Sequence, residues 1–191
     1  MGREYELKFR ATAEQLAEMQ AHYGSFDTIT METTYYDTPD KDLRQRKWML
    51  RRRFENGKSV CTLKTPLPDG SRSEWETECA DIRDAIAELC NLGAPEELLL
   101  LTQSGLEAYC GARFIRLAKL LKNEAVTLEL ALDRGVFLGG GKEEPFWEAE
   151  VEFKDGSENA AVAFAHSLAQ TFGLVSESRS KVVRAMALAQ D

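Results

Sequence analysis

The feature that most constrains this chain is a strict two-residue alternation of charged and apolar side chains, repeated in several segments. Glu4-Tyr5-Glu6-Leu7-Lys8-Phe9-Arg10 puts two acids and two bases on one side and Tyr5, Leu7 and Phe9 on the other. FWEAEVEFK does the same with Glu148, Glu150, Glu152 and Lys154 against Trp147, Ala149, Val151 and Phe153. A period of two is the signature of an extended strand with unlike faces. SRSEWETEC (71–79) and 125–133, which contains VTLELALD, continue the pattern, and 30–37, 47–55 and 112–121 also have strand character. Asn56-Gly57 marks a hairpin into SVCTLKT. Pro66 to Gly70 and the GGGK run at 139–142 predict loops.

Between these lie helical segments. Thr12, with Gln15 three residues on, predicts a capping box for a helix stopped by Gly24. Asp81 caps a helix ended by Gly93, and Pro95 opens a short one over 96–104. Ser157 caps a helix ended by Gly173, and a last helix occupies 180–189. About eight strands and four or five helices, with no linker, repeat or low-complexity tract, predict one α+β domain over 1–191.

An open antiparallel sheet commonly shows a polar face to water. Here, however, like charges repeat along one face, as in E-x-E-x-K and R-x-R at Arg51 and Arg53. Such neighbours repel unless something compensates them. Eight strands suffice to close a barrel, with helices packed outside on Tyr5, Leu7, Phe9, Val151 and Phe153. The charged face then lines a wet cavity, because isolated buried charges cost several kcal/mol each. Carboxylates without neighbouring Cys or His suit a hard cation, Mg2+ or Mn2+. Arg and Lys on the remaining walls suit phosphate oxygens. A metal-bound polyphosphate answers to both, and acids and bases are expected to line the cavity almost evenly.

The net charge of −8 seems at first to oppose this ligand, but a bulk charge says nothing of where charges sit, and bound metal reverses the local sign. It does argue against a nucleic-acid partner. Hydrophobic residues make up 43% of the 191, too many for a disordered chain. The four cysteines form no C-x-x-C, which disfavours zinc and suits reduced thiols in the cytoplasm. No stretch predicts a membrane span. GGGK lacks P-loop spacing, since Glu143 follows Lys142.

With these residues in place, the chain resembles the CYTH superfamily, the triphosphate tunnel metalloenzymes. The resemblance rests on Glu4-Tyr5-Glu6-Leu7-Lys8 as E-x-E-x-K, followed in order by YYDTPDKDLR (35–44), LRRR (50–53), TLK (62–64), RSEWE (72–76), LELALD (128–133), EAEVE (148–152) and SKVVRA (180–185). The layout is most similar to the bacterial inorganic triphosphatases, without the helical domain often fused behind them. The family also includes thiamine and RNA triphosphatases and class IV adenylate cyclases.

The resemblance implies an eight-stranded antiparallel barrel and divalent-metal-dependent release of phosphate from a small triphosphate. Catalysis would involve Glu4, Glu6, Lys8, Glu150 and Lys181. Metal would be held by Glu4, Glu6, Glu129, Asp133, Glu148, Glu150 and Glu152. Phosphate would be gripped by Lys8, Arg51, Arg53, Lys64, Arg72, Arg116 and Lys181. Arg113 and Arg116 are three apart on one strand and cannot both face inward; Arg116 is the expected one. Alternatives are cyclisation of ATP to cyclic AMP, or a polyphosphate- or nucleotide-binding module without turnover. A monomer or homodimer is expected.

Overall fold

The structure is a computed structural model that describes residues 5–68 and 72–190. Nine antiparallel strands form one sheet: β1 (Glu6–Arg10), β2 (Asp27–Asp37), β3 (Met49–Glu55), β4 (Lys58–Pro66), β5 (Arg72–Glu78), β6 (Glu107–Lys122), β7 (Val126–Gly139), β8 (Lys142–Gly156) and β9 (Val175–Ser176). Their spatial order is β5-β4-β3-β2-β6-β7-β8-β1-β9. The two-residue β9, which pairs with β1, is the addition to the eight expected strands. The sheet curls: Arg72 of β5 and Glu6 and Lys8 of β1, near its opposite edges, line one cavity.

β6, β7 and β8 outrun their sequence boundaries. GGGK is no open loop but the tip of the β7–β8 hairpin, with Gly139 paired to Lys142. Gly140 and Gly141 take φ of 57° and 75°, the left-handed values such a tight turn demands.

Among the described residues, six α-helices accompany the sheet: α1 (Ala13–Tyr23), α2 (Asp42–Gln45), α3 (Ile82–Asn91), α4 (Glu97–Leu101), α5 (Glu158–Phe172) and α6 (Lys181–Gln190). The Thr12–Gln15 capping box forms on α1, and Asp81 and Ser157 cap α3 and α5. The short α2 lies in a segment without helical period. It is held by Asp37, whose buried carboxylate accepts the backbone N–H groups of Thr38, Leu43 and Arg44.

The sheet's alternation sorts the core into separate clusters. On the outer face, Phe9, Leu128, Leu130, Leu132, Ala149 and Val151 pack against α1 and α5 through Leu16, Met19, Ala161, Ala165 and Leu168. Farther round that face, Leu50, Cys61 and Leu63 pack against α3 and α4 through Ile82, Ile86, Leu89 and Leu98. Each fully buried aliphatic side chain here contributes about 1.5–3 kcal/mol. A third cluster joins Met31, Tyr35, Met49, Phe114, Phe137 and Phe146 to Val182 and Ala185. These strand residues share the parity of Arg51, Arg116 and Asp133, as the register shows. α6 therefore packs on the concave face, while the other long helices cover the convex one.

Candidate active site: a basic cavity on the concave face

The register places the charged side chains in rows across the strands. Arg116, Asp133, Glu148 and Arg10 stand abreast on β6, β7, β8 and β1. One step along, Ala131, Glu150 and Lys8 are neighbours, and beyond them Glu129, Glu152 and Glu6. Side chains abreast on adjacent antiparallel strands are about 4.5–5.5 Å apart at Cβ, so each row brings its charges into mutual reach.

At the centre, the Lys181 ammonium donates to Glu150 Oε1 at 2.6 Å and to Glu148 Oε1, and is ion-paired with Asp133 Oδ2 at 2.8 Å. Arg116 makes a two-pronged contact with Asp133, both N–O distances being 2.8 Å, and also pairs with Glu150. Lys8 lies 3.1 Å from Glu6 and 4.0 Å from Glu150. On the opposite wall, Glu74 sits between Lys64 at 3.3 Å and Arg51 at 3.7 Å. Arg53 donates to Thr33 Oγ1 at 3.0 Å.

These contacts set the ionisation of the cluster. Burial pushes the Glu148 carboxyl up to about 7, with Lys181 pulling the other way and Glu150 adding to the rise. Burial also disfavours a charged Glu150, but Lys181 and Arg116 outweigh it and hold the carboxyl well below its usual range. Desolvation opposes charge on Lys181, and the three carboxylates overcome it, so it stays protonated.

The cavity measures about 360 Å3, within the range of small-ligand sites. Among the described residues its wall carries seven basic side chains, Lys8, Arg51, Arg53, Lys64, Arg72, Arg116 and Lys181, against the acids Glu6, Glu150 and Glu152. The near-even mixture expected from sequence is thus a formal excess of four positive charges inside a chain of −8. Asp133 and Glu148 lie behind the wall, tied to its cations. Nε of the buried Arg51 has no hydrogen-bond partner, an unmet donor that an anionic ligand would satisfy.

All seven expected phosphate-binding residues reach the cavity. The acids divide. Glu6, Glu150 and Glu152 line it; Asp133 and Glu148 are fully buried beside it. Glu129 stands 3.9 Å from Lys154, which also holds Glu152 at 2.8 Å, and Glu129 is not among the lining residues. Glu4 lies outside the described residues. Arg113 is on the convex face, paired with the exposed Glu143, so Arg116 is the inward member of the two.

Sequence reasoning missed Arg184. Its Nη1 donates to Glu148 Oε2 at 2.6 Å. It also missed the buried Glu177, which pairs with Arg179 at 2.8 Å.

An all-oxygen donor set fits a hard divalent cation. Asp133, Glu148 and Glu150 each offer an oxygen within 4.8 Å of the others, but Lys181, Arg116 and Arg184 already hold those carboxylates. Glu6, Glu150 and Glu152 are ion-paired too, but they face the cavity from adjacent strands, and so are the acids that a metal also touching a ligand would reach.

The CYTH domain family matches residues 2–186. A curated relative, the inorganic triphosphatase of Haemophilus influenzae, is 27% identical over 96% of this chain and 54% of its own length, so the chain spans about half of that protein. A Bacillus halodurans structure carrying an adenylate cyclase name aligns with a TM-score of 0.68 at 22% identity, covering 96% of this chain and 98% of that one. A Hippeastrum protein, named as an adenylyl cyclase and described as having a dominant triphosphatase activity, aligns with a TM-score of 0.69 at 19% identity, over 98% and 95% of the two chains. Among the described residues, no helix is long and apolar enough to cross a membrane.

Proposed function

From the premise that this chain belongs to the CYTH domain family, we propose that it hydrolyses a small triphosphate, inorganic triphosphate first among them, with Mg2+ or Mn2+ bound. The observation that carries this reading is the convergence of seven basic side chains on one small cavity that also presents three carboxylates. A pure polyanion binder would gain by losing those acids. The triphosphatase name of the Haemophilus influenzae relative agrees with it.

Lys8, Arg51, Arg53, Lys64, Arg72, Arg116 and Lys181 would grip the phosphate oxygens and hold the chain in line for attack by water. Phosphoryl transfer needs little beyond positioning and charge stabilisation. Glu6, Glu150 and Glu152, with Glu4, would hold the metal, which when bound polarises phosphate oxygens and lowers the pKa of water. Ion pairs already fix the cations, so they need little reorganisation when charge develops. Such a site needs no covalent nucleophile.

The test is phosphate release from inorganic triphosphate, thiamine triphosphate and ATP, with Mg2+, Mn2+ or EDTA. Release with either metal, lost in EDTA and in Lys8→Ala with the fold intact, is the expected result. Full activity in Lys8→Ala would refute the assignment. Cyclic AMP from ATP would replace it with a cyclase. Tight binding without turnover under either metal would replace it with a binding module.

A further inference from the structure

Arg184 lies one turn beyond Lys181 on α6, and residues three apart share a helix face. Both reach Glu148 from that face. Lys181 takes Oε1, and Arg184 takes Oε2 at 2.6 Å. Arg184 is held in turn by the Phe137 ring, 4.5 Å from its guanidinium carbon, by Phe146 at 5.9 Å, and by Glu177 at 4.0 Å. Asp133 is similarly committed. Its Oδ1 accepts from Arg116 Nε, and its Oδ2 accepts from Arg116 Nη2 and pairs with Lys181, all at 2.8 Å. Glu148 and Asp133 are fully buried, and every one of their four oxygens is engaged by a cation. Among the described residues, the cavity wall takes Lys181 and Arg116 but none of Asp133, Glu148 and Arg184.

Charge balance sharpens the point. Asp133, Glu148 and Glu150 meet Lys181, Arg116 and Arg184, three against three, with Lys8 lying 4.0 Å from Glu150 but closer to Glu6, at 3.1 Å. Without Arg184 the group would carry a net negative charge in a buried setting, which is costly. The flexible Lys181 side chain would then be the only cation on Glu148 and would follow that carboxylate away from the cavity. With Arg184 satisfying the far oxygen, Lys181 stays shared among three acids at a fixed point on the wall.

We propose that Arg184, acting through Glu148, is a positioning residue for Lys181, and that Glu148 and Asp133 belong to this scaffold rather than to the metal. The proposal rests on the reading of Lys181 as a phosphate-binding residue. Arg184 touches no substrate; it sets where the ammonium stands, and small displacements of such a group cost large factors in rate.

The test uses the full chain and the variants Arg184→Met, Arg184→Lys and Glu148→Gln, assayed well below each unfolding midpoint. Arg184→Met should lower turnover of inorganic triphosphate about ten- to a hundred-fold with the folded fraction unchanged. Arg184→Lys, which keeps a cation on Glu148, should recover most of it. Mn2+ affinity without substrate, followed by the EPR signal of the free ion, should stay within about two-fold of wild type in Arg184→Met and Glu148→Gln, since neither removes a group open to the metal. Wild-type turnover and KM in Arg184→Met would overturn the proposal. So would a loss of Mn2+ affinity in Glu148→Gln of about ten-fold or more, the size expected for a ligand or its direct support. Should Arg184→Met not fold, the Lys and Gln variants decide: wild-type turnover in both overturns the proposal. Were wild type to bind triphosphate without turning it over, the hydrolase reading alone would fall. The affinity of Arg184→Met for inorganic triphosphate would then stand in for turnover, and an unchanged value would overturn the positioning role.

Discussion

Replacing Lys181 with Met removes the ammonium shared by Asp133, Glu148 and Glu150 while keeping most of the side chain's volume. Three buried carboxylates are then left facing two guanidiniums, Arg116 and Arg184. Breaking a buried pair in this way costs about 3–5 kcal/mol, but the cluster has an escape. It can bind one proton, and Glu148, already raised to about 7 by burial, is placed to take it. In the unfolded chain the same carboxyl returns to its ordinary 4.5. Native protein therefore binds more protons than unfolded protein, and stability falls as pH rises. Wild type already holds that proton up to about pH 7, so the extra electrostatic penalty in the variant grows only above that point, by ~1.4 kcal/mol for each pH unit, to about 2 kcal/mol at pH 8.5. Urea unfolding of wild type and Lys181→Met in EDTA, at pH 6 and at pH 8.5, measures it. The expected result is a loss about 2 kcal/mol larger at the higher pH. A loss independent of pH, or below about 1 kcal/mol at the higher value, would show that Lys181 does not neutralise this cluster, and the electrostatic account of the site would fail with it.

Two further outcomes test the scaffold. Gly135→Ala should be strongly destabilising, because a Cβ there would lie 2.0 Å from the Arg113 carbonyl oxygen and 2.4 Å from Phe114 Cβ; a thermal midpoint within a degree or two of wild type would refute the packing of β6 on β7. Glu177→Gln should weaken the protein at neutral pH by about 1–2 kcal/mol after solvent screening and have no effect near pH 2. Hydrogen bonds from Arg179 hold that carboxyl down to about 2, so its contribution is full above 4.5 and disappears as pH falls toward 2. Acid titration of unfolding checks it, and equal losses at both ends would refute it.

The sequence by itself determined most of the elements and the two faces of the strands. E-x-E-x-K and E-x-E-x-E-x-K fix side-chain parity, because a strand has no other way to sort alternate residues, and the caps at Thr12, Asp81 and Ser157 bound three of the helices. It also determined that Arg113 and Arg116 must point to opposite sides. Tertiary structure alone decided which side is inward, because that depends on which face of the curved sheet the helices cover. The basic excess of the cavity is of the same kind. Asp133 and Glu148 share the parity of Glu150, yet ion pairs with α6 draw them behind the wall, and strand periodicity carries no information about a helix docking on the concave face. α6 itself reads as an ordinary terminal helix. The one local trace of its place is the change along β7 from Asp133 to Gly135 and Phe137 at inward positions, where charge gives way to an apolar seat. Arg184 acquires meaning only there, because its partners come from β7, from β8 and from the segment before α6, brought together by the fold rather than by any spacing along the chain.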